Sequence, residues 1–245
     1  MPRRARSQPQ AVTQPSAGPT TWLRADYEFP STFSYRMPDV SAQFAIGSPV
    51  PSPAAVKLAL VDTAIRWSGD VNEGRRVFDL IKTAKVCIVP PSRMVRFRAF
   101  IKRLKPPHSS AGPGAPTVES TGVRDYFLLD GYLSVFIEVP QSDADYIAWL
   151  LQRIRRFGTS DSICWCVTVC FEAPDQSLCP RRFVNLSRGQ GGLIVRLSDL
   201  TQRSQFDGFN PFGGNVRQAR LKKDVYVLPF RILKSGENWA ILERI

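Results

Sequence analysis

Histidine is almost absent from this chain: one residue, His108, in 245. A Ser-His-Asp triad or a His-based metal site needs an imidazole held by its surroundings, and His108 falls in a Pro-, Gly- and Ser-rich stretch that predicts a loop. Acids are also scarce, 21 against 33 Lys and Arg, which leaves a formal net charge of +12. An excess of that size draws polyanions through phosphate contacts and counterion release, so nucleic acid leads as partner and an anionic membrane comes second. No run is long and apolar enough to span a bilayer, and no membrane role is expected. No Walker loop is present, since "GQGG" lacks both the lysine and the strand-to-helix context. Asp143 and Asp145 stand close together, but at a position where a helix start favours acids. These absences predict a protein that is not an enzyme, with no cofactor and no metal.

The cysteines number five, an odd count. Cys164, Cys166 and Cys170 fall on alternate positions of one predicted strand, which lines them up and does not fold them around an ion. Cys87 and Cys179 supply no obvious second pair. All five are expected to serve as small buried hydrophobes, in keeping with a reducing cytoplasm.

What the chain has in quantity is organisation. Residues 1–21 carry Arg3, Arg4 and Arg6, no acid and four prolines, and predict a disordered basic tail without the apolar core of a signal peptide. A strand is predicted over Trp22–Phe29. Pro49 and Pro51 then hold the chain extended, Ser52 stands at an N-cap, and Pro53 opens a largely apolar helix to Trp67. A second helix spans Gly74–Thr83. In "RMVRFRAFIKRLK", Val95, Phe97, Ala99 and Ile101 alternate with Arg96, Arg98, Phe100 and Lys102, giving a strand with one basic face. Residues 105–122 predict a flexible loop. Strands over Arg124–Leu129 and Tyr132–Val139 flank "DG", a hairpin signal. "SDADYIAWLLQRIRRFG" has the marks of one helix, with Ser142 as cap, Arg153, Arg155 and Arg156 in the last turn and Gly158 as terminator. The order is that of a ferredoxin-like, split βαβ domain of the α+β class over 22–171. Residues 172–245 predict a β-rich extension resting on its sheet.

The surplus lies in binding groups. Arg93, Arg96, Arg98 and Lys102 on the strand, with Arg217, Arg220, Lys222 and Lys223 after a glycine-rich loop, are interleaved with aromatics. Cations hold phosphates while aromatic faces stack splayed bases, a mixture apt for single-stranded RNA. A solvated basic face, or a scaffold for acidic protein partners, fits the same charge.

Three segments carry a resemblance: "FAIGSPVPSPAAVKLAL", "IRRFGTSDSICWCV" and "DVYVLPFRIL". In order and spacing they resemble the proline-rich turn and first helix, the glycine turn with its Ser/Asp pair, and a late strand of the Cas family five proteins of type I CRISPR systems. The resemblance implies a RAMP-superfamily, RRM-like fold. It implies a subunit of a Cascade surveillance complex that caps the five-prime handle of the crRNA. Its partners would be the large subunit and a backbone subunit, with target DNA met indirectly. Carried over, the handle would meet Ser48, Ser52 and Lys57, then Gly158, Thr159 and Ser160, and the basic strand, with 105–122 reaching over the guide. One branch of the family cuts precursor RNA with a tyrosine, a lysine and a histidine. Here Ser48 stands at the tyrosine's place and His108 is alone, so binding without cleavage is expected, with a RAMP endoribonuclease as the alternative.

Overall fold

The structure is a computed structural model, and it describes residues 18–41, 43–105, 117–159, 161–185, 191–210 and 220–245. In chain order the elements are β1 Thr20–Glu28, β2 Phe44–Ala45, α1 Pro53–Ser68, α2 Val71–Ile81, β3 Val86–Val89, β4 Arg93–Lys105, β5 Val118–Asp130 and β6 Leu133–Pro140. They continue with α3 Ala144–Leu151, β7 Trp165–Phe171, β8 Arg181–Arg182, β9 Leu193–Asp199, β10 Lys222–Leu228, β11 Phe230–Ser235 and β12 Trp239–Arg244.

Three sheets result, with strand orders β3-β6-β1-β7, β11-β12-β4-β5-β2 and β8-β10-β9. The first is antiparallel throughout. Its strands β1 and β6 bury Leu23, Ala25, Tyr27, Leu133, Val135 and Ile137, the alternate positions that pack into the main core with the helices. The α1 helix opens as its sequence dictates, with Pro53 in the first turn, and closes on Gly69 at φ 71°. It lies between β3 of the first sheet and β9 of the third. The α2 helix packs close on α1 at Gly74, where a Cβ would stand 2.3 Å from Ile65. Phe78 of α2 meets Phe206 and Phe209 at 5.9 and 5.7 Å between ring centroids.

Several expectations are corrected. The β5 and β6 strands do not form a hairpin across "DG": β5 pairs with β4 over its whole length, β6 pairs with β1 and β3, and Gly131 at φ 119° turns the chain from one sheet to another. Strand β5 already begins at Val118, inside the stretch expected to be a loop; residues 106–116, with His108, lie outside the described residues, as do residues 1–17 of the tail. Helix α3 stops at Leu151, ahead of its arginines, and the Ser142 hydroxyl donates to Asp143 and caps nothing. Residues 172–245 do not rest as a unit on the first sheet: β8, β10 and β9 form a sheet of their own that meets α1 through β9, while β11 and β12 widen the sheet of β4. Cys87 and Cys179 are joined in a disulfide with 5.7 Å between Cα atoms, so two of the five cysteines are not small hydrophobes. The other three are not aligned on one face either. A bulge between Asp26 and Tyr27 sets Cys166 opposite Tyr27 on the core side and Cys170 opposite Arg24 on the open side.

Candidate nucleic-acid interface

The residues expected at the start of α1 are inside the molecule. Ser48, Ser52 and Lys57 are each 0% exposed. The Ser48 hydroxyl donates to the Val50 carbonyl at 2.7 Å, and the Ser52 hydroxyl accepts from the Ser198 backbone N–H at 3.0 Å. Lys57 donates to Asp199 at 2.7 Å and to the Lys82 carbonyl at 3.1 Å. Burial pulls the ammonium below its ordinary pKa and the Asp199 contact opposes it. Burial likewise raises Asp199, against the pull of Lys57. The physical reason is β9, which closes over this end of α1 and turns its polar groups into a seam between helix and sheet. None of the three reaches a ligand at the surface.

The basic strand is also rearranged. The face that carries Arg96, Arg98 and Lys102 is covered only at its Met94 end, where Met94, Phe127, Asp125 and, from β12, Ala240 and Leu242 are buried; Arg98 and Lys102 themselves are exposed. Arg98 donates to Asp125 at 3.0 Å, and the other oxygen of Asp125 accepts the Gly47 N–H at 3.1 Å. Arg93 meets Glu243 at 3.3 Å and Lys102 meets Glu119 at 2.7 Å. Arg96 is half-buried and makes no ion pair among the described residues. The opposite face holds a row of exposed Trp239 with half-buried Phe97 and Tyr126 across three strands, with Phe97 and Tyr126 stacked at 5.7 Å. In the C-terminal region, Lys222 pairs with Asp224 and Lys223 with Asp39, and Arg220 is exposed. Arg217 and Ser160 lie outside the described residues.

Among the described residues, a concave basic feature lies where the glycine turn meets α1. A groove of about 850 Å³ is floored by Ala55, Leu58 and Ala59 of α1, whose i, i+3, i+4 spacing places them on one helix face. Its rim holds Arg66, Arg153, Arg155 and Arg156, against the single carboxylate Asp62, which is taken by Arg66 at 2.8 Å.

The arginines reach this rim because α3 ends early. The Tyr27 hydroxyl donates to the Leu151 carbonyl at 2.8 Å, and Arg153 donates to the Trp149 carbonyl at 2.9 Å, so the orphan carbonyls of the last turn are met from outside the helix. Arg155 and Arg156 are exposed and make no ion pair among the described residues. The chain then reverses: the Cys164 N–H donates to the Arg155 carbonyl at 2.9 Å, and Gly158 at φ 76° sits at the bend. A Cβ on Gly158 would stand 2.7 Å from the Tyr35 ring. Thr159 donates to the Ser34 carbonyl at 3.1 Å, and the buried Ser162 hydroxyl accepts the Ser34 N–H and donates to its carbonyl, each at 2.9 Å. Among the described residues Gly158 is therefore the one expected site residue on this rim, with Thr159 holding the turn from behind. Tyr35, Arg66, Trp67, Arg153, Arg155 and Arg156 were not singled out by sequence. The available signal was "QRIRRFG", a cationic cluster at a helix end that fits a dipole and a ligand equally well.

No family model matches the chain. A CRISPR-associated protein Cas5 from Archaeoglobus fulgidus is 33% identical over 228 residues, which covers 91% of this chain and 98% of that protein. A crystal structure of a CRISPR protein from Archaeoglobus fulgidus is 12% identical with a TM-score of 0.41, covering 91% of this chain and 92% of that one. A chain of a CRISPR RNA-guided surveillance complex is 14% identical with a TM-score of 0.43, covering 85% and 88%. At those scores neither structural likeness carries weight for function. The sequence relative does, at its length and identity: the chain belongs to the Cas5 family of CRISPR-associated proteins.

Proposed function

We propose that this chain is a non-catalytic, cytoplasmic RNA-binding subunit that holds the five-prime handle of a crRNA in a type I, Cascade-like complex. The observation that carries the reading is the groove beside α1, where Arg155 and Arg156 stand exposed and without ion pairs among the described residues, next to the Gly158 turn. Arg155 donates through one nitrogen to the Gln152 and Ile154 carbonyls, but neither guanidinium must give up a carboxylate to bind phosphate, and the adjacent Tyr35 and Trp67 offer aromatic surface to unpaired bases. The first sheet, in the order β3-β6-β1-β7 with helices between its strands, supports a ferredoxin-like RAMP core into which β4 and β5 are inserted. The row of Trp239, Phe97 and Tyr126 suits protein neighbours in the complex, the large subunit and a backbone subunit.

The test is a binding titration of the purified chain with the repeat-derived handle RNA and a scrambled RNA of equal length, at several salt concentrations, with the RNA recovered and sized afterwards. Selective binding of uncut RNA is expected, with affinity falling linearly in log salt. Cleavage that is lost in His108→Ala would replace this reading with the endoribonuclease. Equal, weak binding of both RNAs would leave a scaffold.

A further inference from the structure

Trp67 is the last large side chain of α1, and it is 63% exposed. An indole left so open at a helix end is unusual unless something covers it, because its apolar area is large. Its surroundings hold it still. The Trp149 ring meets it edge-on at 5.1 Å and 85°, and the Arg153 guanidinium lies 4.8 Å from the Trp67 centroid and 3.8 Å from that of Trp149. Arg153 is itself fixed by its hydrogen bond to the Trp149 carbonyl. A rotamer-rich arginine and two indoles thus form one rigid block before any ligand arrives, which lowers the ordering cost of binding.

The block stands between two concavities of opposite character. On one side is the groove with Arg66, Arg155 and Arg156; on the other a cavity of about 490 Å³ lined by Asp70, Glu73, Tyr146 and Trp149, and Trp67 lines both. Glu73 there is already held by Arg76 at 2.9 Å and by the Tyr146 hydroxyl at 2.6 Å, Asp70 accepts the Asn72 N–H, and no Lys or Arg lines that cavity among the described residues, so the cationic track that a polyanion would follow ends at Trp67. A nucleotide held there has its phosphate on the basic side and its base over the indole.

We propose that Trp67 is a stacking platform that takes one unpaired nucleobase of the RNA bound in the groove, with Arg153 and Trp149 as its fixed support. The proposal rests on the RNA-binding reading and adds to it the residue that meets a base. Stacking on an aromatic ring is tolerant of base identity, so Trp67 sets the position along the strand where the backbone turns, more than the sequence.

The experiment uses the full chain and the repeat-derived handle RNA with 2-aminopurine placed at one position at a time. Wild type is expected to quench the fluorescence strongly at one position. Trp67→Ala should abolish that quenching and weaken handle binding by about ten- to a hundredfold, while the salt dependence stays as in wild type. Trp67→Phe should keep most of both, and a thermal melt of each variant separates loss of stacking from loss of fold. Handle RNA bound by Trp67→Ala as tightly as by wild type overturns the platform and leaves the RNA-binding reading intact. Failure of wild type to prefer handle RNA over the scrambled strand overturns that reading, and the platform with it. Unchanged RNA binding with impaired assembly into the complex would make Trp67 a protein contact and also overturns the proposal.

Discussion

Two turns beside helix ends in this molecule carry positive charge and meet opposite fates. At the entry to α1, Ser48, Ser52 and Lys57 are buried, with Ser52 and Lys57 bonded to β9 and Ser48 to Val50. At the exit from α3, Arg153, Arg155 and Arg156 lie along an open groove, and two of the three are exposed. Each sets positive charge beside a helix end, and nothing local says which end will be covered. The difference is what passes overhead. A later strand covers the first and pairs its buried cation with Asp199, whereas the α1 face opposite the second presents Ala55, Leu58 and Ala59 and leaves a groove open. A basic residue beside a helix end is therefore a stability device or a binding device according to a segment more than a hundred residues away.

The comparison breaks most readily at Lys57. Lys57→Ala leaves Asp199 without its partner in a covered seam, and a loss of about 3 kcal/mol is expected in urea unfolding, with RNA affinity per folded molecule unchanged. An altered affinity at wild-type stability would return Lys57 to the binding surface. At the other turn, Gly158→Val meets both the left-handed backbone and the Tyr35 ring. A cost of about 1–3 kcal/mol is expected, and here RNA affinity should fall as well, because the turn carries the arginines. The double variant Arg155→Ala with Arg156→Ala should barely move the melting curve, within about 0.5 kcal/mol. Its effect belongs in the salt titration, where the slope of log affinity against log salt should flatten by about 1.4 if each arginine holds one phosphate of a single strand. An unchanged slope would mean that the phosphates run elsewhere.

The smallest effect sharpens the same contrast from behind the groove. Burial pushes the Cys164 thiol up to about 12. At pH 8 its thiolate is then about one part in ten thousand, so alkylation followed by mass spectrometry should be slow and should speed up about tenfold per pH unit. The folded state holds this proton more tightly than an unfolded chain with a thiol pKa of about 8.5, so this group's contribution to stability declines as pH rises from about 8.5 toward 12. Because the Cys164 N–H is bonded to the Arg155 carbonyl, loosening the turn with Gly158→Val should expose the thiol and raise its labelling rate.

Local rules carried some of this structure and not the rest. The start of α1 was legible to the residue, because Pro at a first helical position after extended prolines has few other readings. The alternation in β4 was legible as a strand, but period 2 says nothing about which side is covered, and the cationic face proved to be the one covered at its Met94 end. "DG" marked a turn correctly and its partner strand wrongly, since thirteen residues of β5 pair with β4 while β6 is held by β1. The end of α3 could not be read locally. No breaker precedes its arginines, and the helix is stopped by a tyrosine hydroxyl 124 residues earlier in the chain. The groove depends on that stop, so it was legible only as a run of arginines without a stated purpose.

The Cys87–Cys179 bond changes what a broken chain would be. It joins β3 to a segment 92 residues later, and between its two ends run β4, β5, β6, α3 and β7. A single backbone cut anywhere in that interval leaves the two pieces on one covalent thread. A nicked molecule would then migrate as one species on a non-reducing gel and come apart only with a thiol reductant, so such a cut would not show on a gel run with the bond intact.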